Sequence, residues 1–86
     1  MSISYYNNMN VNYNMINEKI CLKVKFERLK KGFSQEELAL KANISRNTIW
    51  KIETGKASPT VETLAKIAQA LEIEFSVLTD ISKVDL

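Results

Sequence analysis

The sequence contains no histidine and only one cysteine, and both facts narrow the chemistry open to it. Without histidine, the chain lacks the commonest general base, the usual Ser–His and Cys–His pairs and most kinds of zinc site. Paired carboxylates remain possible, but a chain of 86 residues has little interior in which to form a pocket. We therefore expect neither an enzyme nor a bound metal or cofactor. The single thiol, Cys21, cannot form an internal disulfide and is typical of a reducing cytoplasm.

Long hydrophobic runs are also absent, since no apolar run exceeds three residues. This pattern excludes a membrane span. A secretory signal is not expected either, because the N-terminal residues do not show a basic region followed by an apolar core. The 86 residues suffice for one small domain, and 45% hydrophobic with 26% charged residues is typical of a globular protein. A domain this small often gains stability from a partner chain.

Charge is distributed unevenly along the chain, although the net charge is only +2. Residues 18–56 carry ten basic and five acidic groups, whereas residues 57–86 carry two basic and five acidic groups. The basic part could face a polyanion, with the acidic end turned away. Ordinary variation of a protein surface is an equally open interpretation of charge alone.

Residues 1–17 differ in composition from the rest of the chain. They carry no charge, six of them are asparagine, and they contain all three tyrosines and all three methionines. Such a composition is poor for a helix and shows no clean strand alternation. We therefore predict an Asn-rich N-terminal arm over 1–17 and a folded domain over 18–86. The arm could be disordered, pack on a partner subunit or lie along DNA.

From residue 18 onward the spacing of apolar residues predicts helices throughout. A first helix over 18–31 places Ile20, Val24 and Leu29 on one stripe and ends at Gly32. The second predicted helix is capped by Ser34 and ends near Ala42, and the third, over 46–54, is capped by Ser45. Thr60 caps the fourth, whose apolar stripe is Val61, Leu64, Ile67, Ala68 and Leu71. A brief fifth helix around 76–79 is predicted to bury Phe75 and Leu78.

Local signals at the helix ends support these boundaries. Ser34 and Glu37 have the spacing of a capping box, and Asn43 tolerates the left-handed conformation that a tight turn requires. Gly55 terminates the third helix in the same way that Gly32 terminates the first. The last residues, 82–86, are expected to fray.

Two short helices joined by a turn within a five-helix domain form a helix-turn-helix layout. The residues that fit this layout in order and spacing are Gln35-Glu36-Glu37-Leu38-Ala39, Asn43-Ile44-Ser45-Arg46, Ile49, Ile52-Glu53-Thr54-Gly55-Lys56 and Pro59-Thr60, with Leu64 and Ala68. Over about 24–78 the chain resembles the Cro/CI-type phage repressors, also called the XRE-type helix-turn-helix family. The resemblance implies an all-α, compact five-helix lambda-repressor-like domain that binds DNA, with its helix-turn-helix formed by helices 2 and 3.

The third helix is the expected reading element. On a helical wheel at 100° per residue, Ser45, Ile49 and Ile52 lie on one side, and the opposite side is polar with one large aromatic. In helix-turn-helix proteins the N-terminal residues of this helix reach base edges in the major groove. The expected base contacts are Arg46, Asn47, Trp50 and Lys51. Trp50 could instead form a satellite core against the following loop or the arm.

Other residues are expected to anchor phosphates or to hold the fold together. The resemblance implies that Gln35, at the N-terminus of the second helix, holds a backbone phosphate, which the positive end of a helix dipole favours. Thr48, Thr54 and Lys56 flank the reading side and are further candidates, although each could be an ordinary solvated residue. The resemblance also implies a partly buried ion pair between Arg28 and Glu53.

The leading hypothesis is a sequence-specific transcriptional regulator, in particular a repressor, that binds a pseudo-palindromic operator as a homodimer. The candidate dimer surface comprises Phe75, Val77, Leu78 and Ile81. A restriction–modification controller is one possible subtype. The alternative is an antitoxin or other interaction module of the same fold, which would bind a partner protein through the arm or the C-terminal helices. Because Arg46 and Asn47 replace the glutamines of some phage repressors, the target sequence cannot be transferred.

Overall fold

A computed structural model describes residues 12–85, which form five helices and no strands. The helices are α1 (Tyr13–Lys31), α2 (Gln35–Ala42), α3 (Arg46–Glu53), α4 (Val61–Leu71) and α5 (Phe75–Leu78). This architecture confirms the predicted all-α, five-helix domain. Within the described residues, no helix has both the length and the apolar character needed to cross a membrane.

Hydroxyl side chains begin three of the five helices. The Ser34 side chain accepts from the Glu37 N–H while the Glu37 carboxylate accepts from the Ser34 N–H, which completes the predicted capping box. Ser45 and Thr60 cap α3 and α4 in the simpler form, each accepting from the N–H three residues on. These local bonds fix where the two helices of the helix-turn-helix start.

The first helix begins five residues earlier than the sequence predicts, at Tyr13 instead of Glu18. Asn12 caps it, because its side-chain oxygen accepts from the Met15 N–H at 3.0 Å. The asparagine-rich composition was thus a misleading signal against a helix in this stretch. The predicted arm falls on residues 1–17, of which 1–11 lie outside the described residues.

The core lies where α4 packs against α1, α2 and α5. Its buried members are Cys21, Val24, Leu38, Ala39, Ala42, Ile49, Ile52, Leu64, Ile67, Ala68, Leu71 and Leu78. Two predicted stripe residues, Leu29 and Val61, are instead exposed. Val84 is buried, so the expectation that the whole segment 82–86 frays is wrong at that position.

The turn between α2 and α3 sets the geometry of the motif. Asn43 adopts φ 57° in the left-handed region, as its sequence position predicts. The Ile44 N–H donates back to the Ala39 carbonyl at 3.0 Å, which completes the cap of α2. Helix α3 therefore starts immediately after the turn and packs Ile49 and Ile52 into the core.

Candidate nucleic-acid interface

The outward side of α3 is open to solvent. Arg46, Asn47 and Lys51 are exposed, and no described part of the chain covers Asn47 or Lys51. Trp50 keeps 39% of its surface exposed and lines a shallow cleft with Arg46 and Asn47. These are the four residues that the sequence assigns to base contacts, and the structure places them on one surface.

The opposite side of α3 is packed into the core. Ile49 and Ile52 are almost completely buried, and Ser45 caps the first turn. Packing locks both isoleucine side chains, because core side chains occupy fixed rotamers in a close-packed interior. The polar side of α3 is therefore presented on a rigid support, with Arg46 and Asn47 in its first turn.

The chain leaves α3 through a Schellman turn. The Lys56 N–H donates to the Lys51 carbonyl at 2.8 Å, and the Gly55 N–H donates to the Ile52 carbonyl at 3.0 Å. Gly55 has φ 74°, the left-handed conformation that this motif requires at its second-last position. The turn reverses the chain and returns Lys56 to the last turn of the reading helix.

Lys56 then extends over the indole of Trp50. Its Nζ lies 5.9 Å from the centre of the Trp50 ring, within the range of a cation–π contact. The loop after α3 thus does contact Trp50, as the satellite-core interpretation expects, and it does so through the ammonium group of Lys56. Part of the indole stays exposed beside Arg46 and Asn47.

The two candidate threonines are both engaged within the helix. The Thr54 hydroxyl donates to the Trp50 carbonyl at 2.7 Å, so its one hydrogen is used to cap α3 and is not available to a phosphate. The Thr48 hydroxyl lies 2.7 Å from the Ser45 hydroxyl. When Ser45 is the donor of that bond, the Thr48 hydrogen remains available to an acceptor on DNA.

A buried network links α1, α3 and the start of α2. The Arg28 Nε and Nη2 donate to the two Glu53 carboxylate oxygens at 2.7 and 2.8 Å, and the Arg28 Nη1 donates to the Phe33 carbonyl at 2.8 Å. The hydrogen bonds with Glu53 outweigh burial and raise the pKa of the Arg28 guanidinium further. The Gln35 side-chain amide also donates to Glu53, at 3.2 Å.

This network changes how Gln35 can meet a phosphate. One of its two amide hydrogens is committed to Glu53, so the side chain is held and not freely extended. Gln35 is also the first residue of α2, where backbone N–H groups have no partner within the helix. A phosphate at this position would meet those N–H groups and the remaining amide hydrogen.

The candidate dimer surface requires one correction. Leu78 is completely buried in the core of its own chain, so it cannot contact a partner. Phe75 and Val77 remain 38% and 42% exposed, and Ile81 is half-buried. The burial of Leu78 agrees with the prediction for the brief fifth helix, whereas Phe75, which the sequence also predicts to be buried, is exposed because a four-residue helix gives too short a pattern to separate its two sides.

One feature of the interface was not predicted, namely the turn that brings Lys56 back to Trp50. The sequence contains its signal, because a glycine after an apolar helical stripe marks a Schellman cap and the next residue donates to the helix. Interpreted only as the end of the helix, Gly55 does not by itself place Lys56 over Trp50.

Comparison with known proteins bears directly on this geometry. The HTH_3 family model, described as helix-turn-helix, matches residues 24–78, which include α2, α3, α4 and α5 completely. The chain belongs to the HTH_3 family. This XRE-type family is a class of DNA-binding transcription regulators and not of enzymes.

Several known proteins are similar to the chain. The HTH-type transcriptional regulator SlrR of Bacillus subtilis is 34% identical over 58 residues, which is 66% of this chain and 38% of SlrR. The regulator YqaF of the same organism is 39% identical over 54 residues, which is 63% of this chain and 71% of YqaF. The crystal structure of the restriction-modification controller protein C.AhdI from Aeromonas hydrophila superimposes with a TM-score of 0.70 at 30% identity, covering 77% of this chain and 98% of the controller. The chain thus spans well under half of SlrR but nearly all of C.AhdI.

Proposed function

We propose that the chain is a transcriptional repressor that binds a pseudo-palindromic operator as a homodimer and reads it with α3. The observation that carries this proposal is the two-sided character of α3. Ile49 and Ile52 fix the helix from behind, while Arg46, Asn47 and Lys51 extend into solvent. An α-helix of this kind fits the major groove of B-DNA.

The base contacts are assigned by position and by chemistry. Arg46 and Asn47 occupy the first turn of α3, the part of a recognition helix that reaches deepest into the groove. Arginine can donate two hydrogen bonds to guanine, and asparagine can pair bidentately with adenine. Lys51 lies one turn beyond Asn47 and reaches a base or a phosphate, and the exposed part of Trp50 contacts a thymine methyl or the sugar backbone.

Phosphate contacts would surround this reading surface. Gln35 meets a phosphate at the N-terminus of α2, and Lys56 meets one beyond the C-terminal end of α3. Thr48 can donate when Ser45 supplies the hydrogen of their shared bond. Thr54 stays a weaker candidate, because its hydroxyl would first have to leave the Trp50 carbonyl.

Dimerisation follows from the length of DNA that one helix can read. A single recognition helix covers only a few base pairs, and dimers of such domains bind half-sites about one helical turn apart. The exposed apolar side chains of Phe75 and Val77, with the half-buried Ile81, support a dimer surface at the C-terminal end. The similarity to a controller protein supports a role in regulating transcription.

Selection of bound sequences from a random DNA pool tests this function. We expect two inverted half-sites spaced by about one helical turn. Arg46→Ala and Asn47→Ala should each cost roughly 1–3 kcal/mol at particular base positions and relax the preference there. Lys66→Ala, an exposed lysine on α4, is the matched control and should leave the selected sequence unchanged. A reporter gene with the selected site across its promoter should lose expression when the protein is present.

A salt titration separates DNA binding from a purely protein-binding role. The logarithm of the affinity for DNA should fall almost linearly with the logarithm of the salt concentration. Recovery of unrelated sequences, together with unchanged affinity in both base-contact variants, would contradict the proposed function.

A further inference from the structure

We propose that Trp50 is a positioning residue for Lys56, in addition to any direct contact it makes with DNA. The inference rests on the proposed DNA-binding function and deepens it. Its starting point is that Lys56 Nζ lies 5.9 Å from the centre of the Trp50 ring, although both residues are exposed at the edge of the reading surface. The indole face attracts an ammonium group electrostatically.

The backbone of Lys56 is already fixed before its side chain meets Trp50. Its N–H donates to the Lys51 carbonyl at 2.8 Å, and Gly55 holds the left-handed turn with φ 74°. The backbone of Trp50 is itself held, because its carbonyl accepts from the Thr54 hydroxyl at 2.7 Å and its helix is anchored by Ile49 and Ile52. A fixed turn and a fixed helix therefore bring the lysine side chain and the indole ring together.

This contact matters because an exposed lysine ordinarily samples many rotamers. Fixing such a side chain on binding costs free energy, and a side chain that is already placed avoids much of that cost. Lys56 lies at the end of α3, where a cation would meet the backbone of the duplex that α3 enters. Trp50 thus places the Lys56 side chain for contact with a phosphate. Its exposed edge can contact DNA in addition.

The contact can be tested in the DNA-free protein. The side-chain methylene protons of Lys56 should be shifted upfield in the NMR spectrum by the ring current of Trp50, the only tryptophan of the chain. Trp50→Leu should return them to the positions typical of an exposed lysine, and Trp50→Phe should restore part of the shift. Lys51, whose ammonium group is not the one placed over the indole, is the internal control.

DNA affinity then tests the consequence. Trp50→Leu and Lys56→Met should be strongly non-additive: the coupling between them should amount to about two- to five-fold in affinity. Lys56→Met should reduce the slope of the logarithm of DNA affinity against the logarithm of salt concentration by about one. In a protein that already carries Lys56→Met, Trp50→Leu should not change this slope further. Lys51→Met combined with Trp50→Leu is the matched pair and should be additive.

The outcomes separate this inference from the proposed function. Lys56 protons at ordinary positions in the unmodified protein, or penalties of Trp50→Leu and Lys56→Met that simply multiply, would overturn the positioning role while DNA binding stands. A chain that shows the upfield shift but binds no DNA would overturn the proposed function, and the phosphate role of Lys56 with it.

Discussion

Arg28 and Glu53 are joined by two hydrogen bonds of 2.7 and 2.8 Å, although their side chains are only 9% and 3% exposed. The pair ties the last turn of α1 to the last residue of α3. Because Glu53 also accepts from Gln35, one carboxylate links α1, α2 and α3. Its role is structural, because the Arg28 and Gln35 side chains both donate to the carboxylate and hold it in place.

Removal of Glu53 should destabilise the fold strongly. Glu53→Ala leaves the Arg28 charge buried without its partner, and breaking a buried ion pair in this way costs roughly 3–5 kcal/mol. Urea unfolding measures the loss. Glu62→Ala breaks the exposed pair with Lys66 (3.6 Å) and should cost less than about 1 kcal/mol. Equal losses in the two variants would contradict a structural role for the buried pair.

Acid should lower the folding stability of the protein, in part through a second carboxylate, that of Glu27. Burial raises the pKa of this group, but Lys23 at 3.1 Å and Lys30 at 3.4 Å outweigh it and lower the pKa below its ordinary value of 4.5. A group with a lowered pKa in the folded state stabilises the protein above pH 4.5 and loses that contribution as the pH falls below this value. The stability of Glu27→Gln, measured by denaturant unfolding at several pH values, should therefore fall less on acidification than that of the unmodified chain. Glu62→Gln, at an exposed position, should follow the unmodified chain throughout.

A charge at the candidate dimer surface should separate the protomers. Val77→Asp places a carboxylate on a 42% exposed apolar position, so we expect a shift toward monomer in sedimentation experiments and weaker binding to paired half-sites. Leu40→Asp alters a more exposed apolar position on α2 and should leave the oligomeric state unchanged. A dimer that survives Val77→Asp at the same concentration would move the interface elsewhere.

Leu78 should behave differently from its neighbour Val77. Because Leu78 is completely buried in its own chain, Leu78→Ala should cost about 2–5 kcal/mol of folding stability, as cavity-forming changes do. Thermal or urea unfolding measures this loss. An unaltered stability with a changed oligomeric state would return Leu78 to the dimer surface.

The two glycines offer a matched test of the turn after α3. Gly32 and Gly55 both have a positive φ, 76° and 74°, and a Cβ added at either would meet no atom within 4 Å. Gly32→Ala and Gly55→Ala should therefore lose similar stability, roughly 1–2 kcal/mol each, from backbone strain alone. Only Gly55→Ala should also weaken DNA binding, because the strained turn displaces Lys56. Equal DNA affinities in the two variants would contradict that coupling.

The sequence by itself determined the local features of this protein. The capping box of Ser34 and Glu37, the left-handed turn at Asn43 and the glycines that end α1 and α3 all depend on residues within a few positions of one another. Such interactions form wherever the helix forms, so their patterns can be recognised without a structure. The start of α1 at Asn12 is equally local, but the asparagine-rich composition disfavours a helix there, so the predicted start lies at residue 18.

The tertiary structure alone decided the exposure of those apolar residues for which the helical pattern predicts the wrong side. Leu29 and Phe75 are both predicted to be buried, yet both are exposed. Their exposure depends on how α1 and α5 pack against the rest of the domain, which no short pattern encodes. The placement of Lys56 over Trp50 has the same origin, because it requires a three-dimensional turn to bring the lysine back onto the ring.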